Sequence, residues 1–192
     1  LVVYPNAEEM ALAWGWPASR GALGAYWPGF VQVVAPAAWL ECGPEGPRGE
    51  AASALLATLG HELAHWAYEE AALGRVPRWL SEGLAQRAEE RLLGAECPAE
   101  LVRSRARAAG PAPIAEFGTW FCVRNARSSE ERRAYLLARS VVAYLDTRCD
   151  GGWEDRLVLA LRRSWGLEPA LSEAIGLTAA DLERGWEEWV WR

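Results

Sequence analysis

The chain holds two histidines, and they stand four residues apart in His61-Glu62-Leu63-Ala64-His65. On an α-helix that spacing separates side chains by ~40° around the axis and ~6 Å along it, so both imidazoles leave one face. Two neutral imidazole nitrogens so placed can bind a single tetrahedral Zn2+. Glu62 is turned ~100° from His61, beside such an ion rather than on it. There it can take a proton from a water that the ion activates. Two histidines scattered at random would give this pattern roughly once in a thousand such chains. A pair that merely caps or packs the helix is the competing reading.

A catalytic zinc needs a third protein ligand and leaves its fourth position to water. Downstream lies Arg78-Trp79-Leu80-Ser81-Glu82-Gly83-Leu84-Ala85, with sixteen residues between His65 and Glu82. That length finishes one helix, turns at 74–77 and presents a carboxylate from an adjacent antiparallel helix. Glu82 alone would be a weak candidate, because glutamate is common in this chain.

HELAHW followed by PRWLSEGLA resembles the gluzincin zinc metallopeptidases, in particular the bacterial peptidase MA-like domain, over roughly residues 50–190. The resemblance implies His61, His65 and Glu82 as ligands of one Zn2+ and Glu62 as general base. Glu89, seven residues after Glu82 and on the same helix face, matches a position that orients a ligand histidine in related enzymes. A solvated helix carboxylate is the alternative for Glu89.

Under this reading both histidines are consumed by the metal, so another group must meet the oxyanion of a tetrahedral intermediate. Tyr135, in Tyr135-Leu136-Leu137-Ala138-Arg139, matches the family's tyrosine-bearing helix; a half-buried core tyrosine is the alternative. Tyr144 lies nine positions on, ~180° round the helix, so at most one of the two faces the site. Gluzincin folds also pair the substrate backbone with an edge strand. Gly24-Ala25-Tyr26-Trp27 or Phe30-Val31-Gln32-Val33 could supply it, a plain core hairpin being the other reading. The larger aminopeptidases of this kind carry a GxMEN segment that holds the substrate's amino terminus. GAYWPGF stands in the comparable place here, which favours an endopeptidase or a narrow-specificity peptidase.

The elements that must position these residues are legible in outline. Residues 1–4 read as a strand, and Asn6 caps a helix running to about Trp14. Residues 22–27 and 30–35 flank Pro28-Gly29 as a hairpin, and 42–49, rich in Gly and Pro, read as loop. Helices are expected over 50–73, where Leu55, Leu56, Leu59, Leu63 and Trp66 form an apolar stripe and Gly74 supplies the stop. Others fit 77–94 and from Pro98 to just before Gly110, and 111–127 is expected to be irregular. Ser128 and Glu131 resemble a capping box opening a helix over 129–147. Three more fit 153–163, 168–175 and 179–191, the last capped by Thr178. The fold class is therefore α+β and helix-dominated. A small β-containing part over 1–49 precedes the zincin-like helix pair and a C-terminal helical bundle, all one domain over 1–192.

Composition narrows the functions. With 192 residues, 51% hydrophobic and 24% charged, the chain can bury a core. Its net charge of −6 argues against a nucleic-acid partner. No apolar run reaches the ~18–20 residues of a membrane span. All 20 positive residues are Arg, a hint of a GC-rich or thermophilic source. Most of the 12 Trp read as core rather than as a ligand platform. Arg103, Arg105 and Arg107 read as a solvated helix face. Cys42, Cys97, Cys122 and Cys149 form no CxxC pair, so they allow disulfides without requiring them. A start at Leu1 suggests trimming and, with the resemblance, tilts the expectation towards an extracytoplasmic or membrane-anchored parent. The expected function is a zinc-dependent peptidase acting on peptides or proteins through a metal-bound water. The alternative is a catalytically silent zinc-binding domain with a structural or peptide-recognition role.

Overall fold

The computed structural model describes residues 1–17, 22–35, 48–121 and 128–192, with backbone alone for 48–52 and 128. The expected loop over 42–47, Cys42, Cys122 and the side chain of Ser128 therefore lie outside the described residues. The described chain is helix-dominated α+β, with one small N-terminal sheet and nine helices among the described residues.

Two compact units can be distinguished, Leu1–Ala67 with Ala88–Glu96, and Tyr68–Arg87 with Cys97–Arg192. In the first, β1 (Val2–Tyr4), β2 (Gly24–Trp27) and β3 (Phe30–Val34) form a sheet in the order β1-β3-β2. β1 runs parallel to β3, with Val3 opposite Val33; β2 is antiparallel to β3, with Tyr26 opposite Val31. The parallel pair requires a crossover, and α1 (Ala7–Trp14) lies within it. Asn6 caps α1 by accepting the Glu9 N–H, and Gly15 ends it in the left-handed region. Tyr26, Val31 and Val33 pack together with Leu59, which lies on α2 (Arg48–Ala72). The Pro28-Gly29 turn joins the hairpin as expected, Gly29 taking φ 88°.

The second unit is helical. It contains the end of α2, most of α3 (Arg78–Leu92), then α4 (Ala99–Ala109), α5 (Ile114–Trp120), α6 (Ser128–Arg148), α7 (Trp153–Arg163), α8 (Leu167–Ile175) and α9 (Ala179–Trp191). On α6 the residues Ala134, Leu137, Ala138, Val141 and Leu145 are fully buried, the 3–4 spacing of a core-facing stripe. α3 crosses α6 closely at Gly83, where a Cβ would stand 2.5 Å from the Ala138 carbonyl oxygen. Buried Arg87 on α3 meets Asp146 of α6 and Glu154 of α7, and Trp153 Nε1 donates to Asp146 at 2.9 Å. Thr178 caps α9 in a reciprocal capping box with Asp181.

Several expectations are corrected. Residues 114–120 are helical rather than irregular. Pro113 sits just ahead of the first turn, where its missing N–H costs nothing, and Ile114 and Phe117 are buried on one face. The apolar stripe of α2 is covered only in part: Leu59 packs on the sheet, but Leu56, Leu63 and Trp66 are exposed, whereas Ala57, Glu62, Ala64 and His65 are buried. That helix turns its polar, chemistry-bearing side inward. Trp79, Trp153 and Trp186 are core, but Trp27, Trp66, Trp165 and Trp191 are exposed. Nor is the arginine cluster merely solvated: Arg107 donates to the Val190 carbonyl, and Arg103 stacks 5.4 Å over Trp189. Cys149 is a thiol, a state that the sequence left open. No helix of the described residues is long and apolar enough to cross a membrane.

Candidate metal centre

His61 and His65 leave the same side of α2, as their spacing requires, with ring centroids 4.8 Å apart and planes at 78°. The chain then reverses through Leu73 and Gly74, both at positive φ, and Gly74 N–H caps the helix on the Glu69 carbonyl at 2.8 Å. Pro77 starts the next helix, its carbonyl accepting from the N–H groups of Leu80 and Ser81. Glu82 lies on the second turn of α3. One ligand atom from each of His61, His65 and Glu82 lies within 4.8 Å of the other two.

The donor set fits a zinc ion in kind and nearly in size. Two imidazoles and one carboxylate are the protein ligands of a common catalytic zinc site. Donors ~2.0–2.1 Å from a tetrahedral ion stand ~3.4 Å apart, so separations of up to 4.8 Å would need to contract by up to about 1.4 Å. Its members are largely shielded from water: His65 and Glu82 are buried, and His61 is 15% exposed at its side chain. Burying a carboxylate without compensation is costly, and Glu82 is met by Arg78, whose Nη2 lies 2.7 Å from Oε1 one helical turn earlier.

Each histidine has a neighbour that fixes its ring. Glu89 Oε2 lies 3.3 Å from His61 Nδ1. With Nδ1–H donating there, the Nε2 lone pair is the one left for a cation. Tyr26 of β2, itself buried, stacks on His65 with centroids 6.1 Å apart and planes 19° from parallel. Two residues back along the same face of β2, Gly24 lies against Glu62. A Cβ built at Gly24 would stand 3.0 Å from Glu62 Cγ and 3.2 Å from Oε1. Glu62 is itself buried.

The two tyrosines of α6 part company. Tyr135 is half-buried, edge-on to Phe121 with centroids 5.2 Å apart. Gln86 Nε2 donates both to its carbonyl and to that of Glu82, at 3.0 and 3.2 Å, which ties α6 at Tyr135 to the turn of α3 that carries Glu82. Tyr144 is buried against α9, its hydroxyl oxygen 2.1 Å from where a Gly185 Cβ would stand. Burial pushes its phenol above the ordinary value, partly offset by Arg148. It is a packing residue.

The strand candidates are also sorted. Phe30–Val34 is the central strand and cannot be an edge, whereas Gly24–Trp27 has β3 as its one neighbour among the described residues. Sequence reasoning had not singled out Arg78, Gln86 or Tyr26. For the first two a signal was present, since both stand four residues from Glu82 on one helix. Tyr26 offered none, because its contact with His65 joins residues far apart in the chain.

No protein-family model matches the chain, and no curated protein or solved structure is similar enough to it to count as a match.

Proposed function

We propose that this chain is a gluzincin-like zinc peptidase that hydrolyses internal bonds of peptides or unfolded proteins. The observation that carries the reading is the convergence of His61, His65 and Glu82, with Glu62 buried on the adjoining helix face. His61, His65 and Glu82 would hold the ion. Bound there, zinc supplies Lewis-acid polarisation of the scissile carbonyl and makes water a better nucleophile at neutral pH.

The remaining work falls to the chain's own residues. Glu62 takes a proton from the attacking water and returns it to the departing amine. Glu89 keeps the His61 ring in one orientation. The Tyr135 hydroxyl donates to the developing oxyanion, the task that no third histidine is present to perform. The edge of β2 away from β3 accepts the substrate backbone as an added strand. GAYWPGF carries no acidic residue to hold a free amino terminus, which supports cleavage within chains.

The test is Glu62→Gln in zinc-loaded protein, assayed on an unfolded protein and on a diverse peptide library. Loss of cleavage by 10²-fold or more with zinc content unchanged supports the reading. Survival of activity sinks the mechanism. A zinc-loaded wild type that cuts nothing in the library favours the silent zinc-binding domain instead.

A further inference from the structure

Arg78 is the residue of this neighbourhood that the peptidase chemistry leaves without a role. It opens α3 one turn before Glu82, and its Nη2 lies 2.7 Å from Glu82 Oε1. The two side chains differ sharply in environment: that of Glu82 is 1% exposed, that of Arg78 40%. The guanidinium thus reaches in from the protein surface to a carboxylate that water does not reach.

Glu69, half-buried near the end of α2, adds a constraint on the other side. Burial raises its carboxyl above the ordinary value, and the positive charge of Arg78 acts against that rise. Arg78 therefore lies within the field of carboxylates on both helices that flank the 73–77 turn.

We infer that Arg78 is a positioning residue for the metal: by holding one oxygen of Glu82, it fixes the carboxylate as a one-oxygen ligand of the ion bound by His61 and His65. The inference rests on the zinc reading above and deepens it. A glutamate has three side-chain torsions and two equivalent oxygens, so an untethered Glu82 can rotate to offer both oxygens or neither. An ion pair at 2.7 Å to one of the two oxygens restrains that freedom. Because the partner is four residues away on one helix, the tether is set by local helix geometry. The opposing effect is repulsion between the guanidinium and the arriving cation. Exposure of Arg78 to water screens that repulsion, whereas the tether acts inside the buried part of the pair. The tether dominates.

The experiment is zinc affinity by chelator competition for the wild type, Arg78→Ala and Arg78→Gln, with far-UV circular dichroism of the metal-free proteins as the control for folding. Cobalt substitution supplies the second readout, since the intensity of its visible bands falls when four-coordinate Co2+ becomes five-coordinate. Both variants are expected to bind zinc about 10- to 100-fold more weakly and to give weaker, shifted cobalt bands. Arg78→Gln keeps length and a neutral donor, so it serves if Arg78→Ala fails to fold. Unchanged or tighter zinc binding overturns the inference. So does weaker binding with an unaltered cobalt spectrum, which would mark general destabilisation. A wild type that takes up no zinc overturns this inference and the peptidase reading together. One that takes up zinc but cuts nothing overturns the peptidase reading alone and leaves the Arg78 result standing.

Discussion

Gly24 on β2 and Glu62 on α2 are in such close register that the strand has no room for a side chain where it passes the carboxylate. A Cβ at position 24 would lie 2.5 Å from Thr58 Cγ2, 3.0 Å from Glu62 Cγ and 3.2 Å from Glu62 Oε1. Contacts under 3 Å force something to move, and the Thr58 methyl sits on a stiff β-branched side chain. Gly24→Ala is therefore expected to push β2 off α2 or to turn Glu62 aside. Displacing a general base by about an ångström costs on the order of 10²-fold in rate. Zinc content should be retained, because Gly24 lies against Thr58 and Glu62 rather than against His61, His65 or Glu82. Measuring kcat and bound zinc together decides the point: a variant with wild-type kcat would show that the close approach has no catalytic consequence.

Removal of Glu89 should act on metal binding rather than on chemistry. Its Oε2 lies 3.3 Å from His61 Nδ1 and its side chain is 37% exposed, so the contact matters for orientation more than for charge. Glu89→Ala is expected to weaken zinc about 10- to 100-fold. Glu89→Gln keeps an oxygen acceptor for Nδ1–H and should recover most of that loss. Equal zinc affinity in all three proteins would return Glu89 to the status of a solvated helix carboxylate.

How far the sequence reaches depends on the range of the interaction. Boundaries of α1, α7 and α9 follow from local signals, Asn6, Gly15 and Thr178 among them, and agree with the structure within a residue. That His61 and His65 share one face of α2 was readable because helical spacing alone puts them there. α5 was not, because Pro111, Pro113 and Gly118 resemble loop chemistry until Ile114 and Phe117 find core partners. The inward face of α2 was misread for a related reason. Periodicity reports which residues share a face, and Leu56, Leu63 and Trp66 do share one, but hydrophobicity misassigned which face is covered. Gly24 against Glu62 and Tyr26 against His65 join positions nearly forty residues apart, and no local pattern encodes them.

The ion cluster around Arg87 predicts a stability effect with no direct part in chemistry. Arg87 is buried, stands 5.3 Å from the Trp153 ring, and pairs with Asp146 and Glu154. Arg87→Met keeps the volume but strands two carboxylates. Removing one partner of a buried ion pair costs about 3–5 kcal/mol. Because Asp146 and Glu154 are 31% and 21% exposed, water can rescue them in part, and about 3 kcal/mol is expected. Urea denaturation should show a lower midpoint with an unchanged slope. A midpoint equal to the wild type would mean that the cluster's attraction only offsets its own desolvation.

The tyrosines of α6 give the sharpest contrast, because they sit on one helix and are assigned opposite roles. Tyr135→Phe removes the hydroxyl proposed to meet the oxyanion while leaving the edge-on packing against Phe121 intact. It is expected to lower kcat about 10²- to 10³-fold, with KM, zinc affinity and melting temperature close to wild type. Tyr144→Phe removes a hydroxyl buried against Gly185 on α9. It should leave kcat unchanged and alter only stability, by about 1 kcal/mol in either direction according to whether the helices close the gap. Comparing kcat and thermal melts for the pair separates the roles. A Tyr135→Phe enzyme as fast as the wild type would remove that residue from the mechanism, and the oxyanion would then have to be met by another donor on the chain.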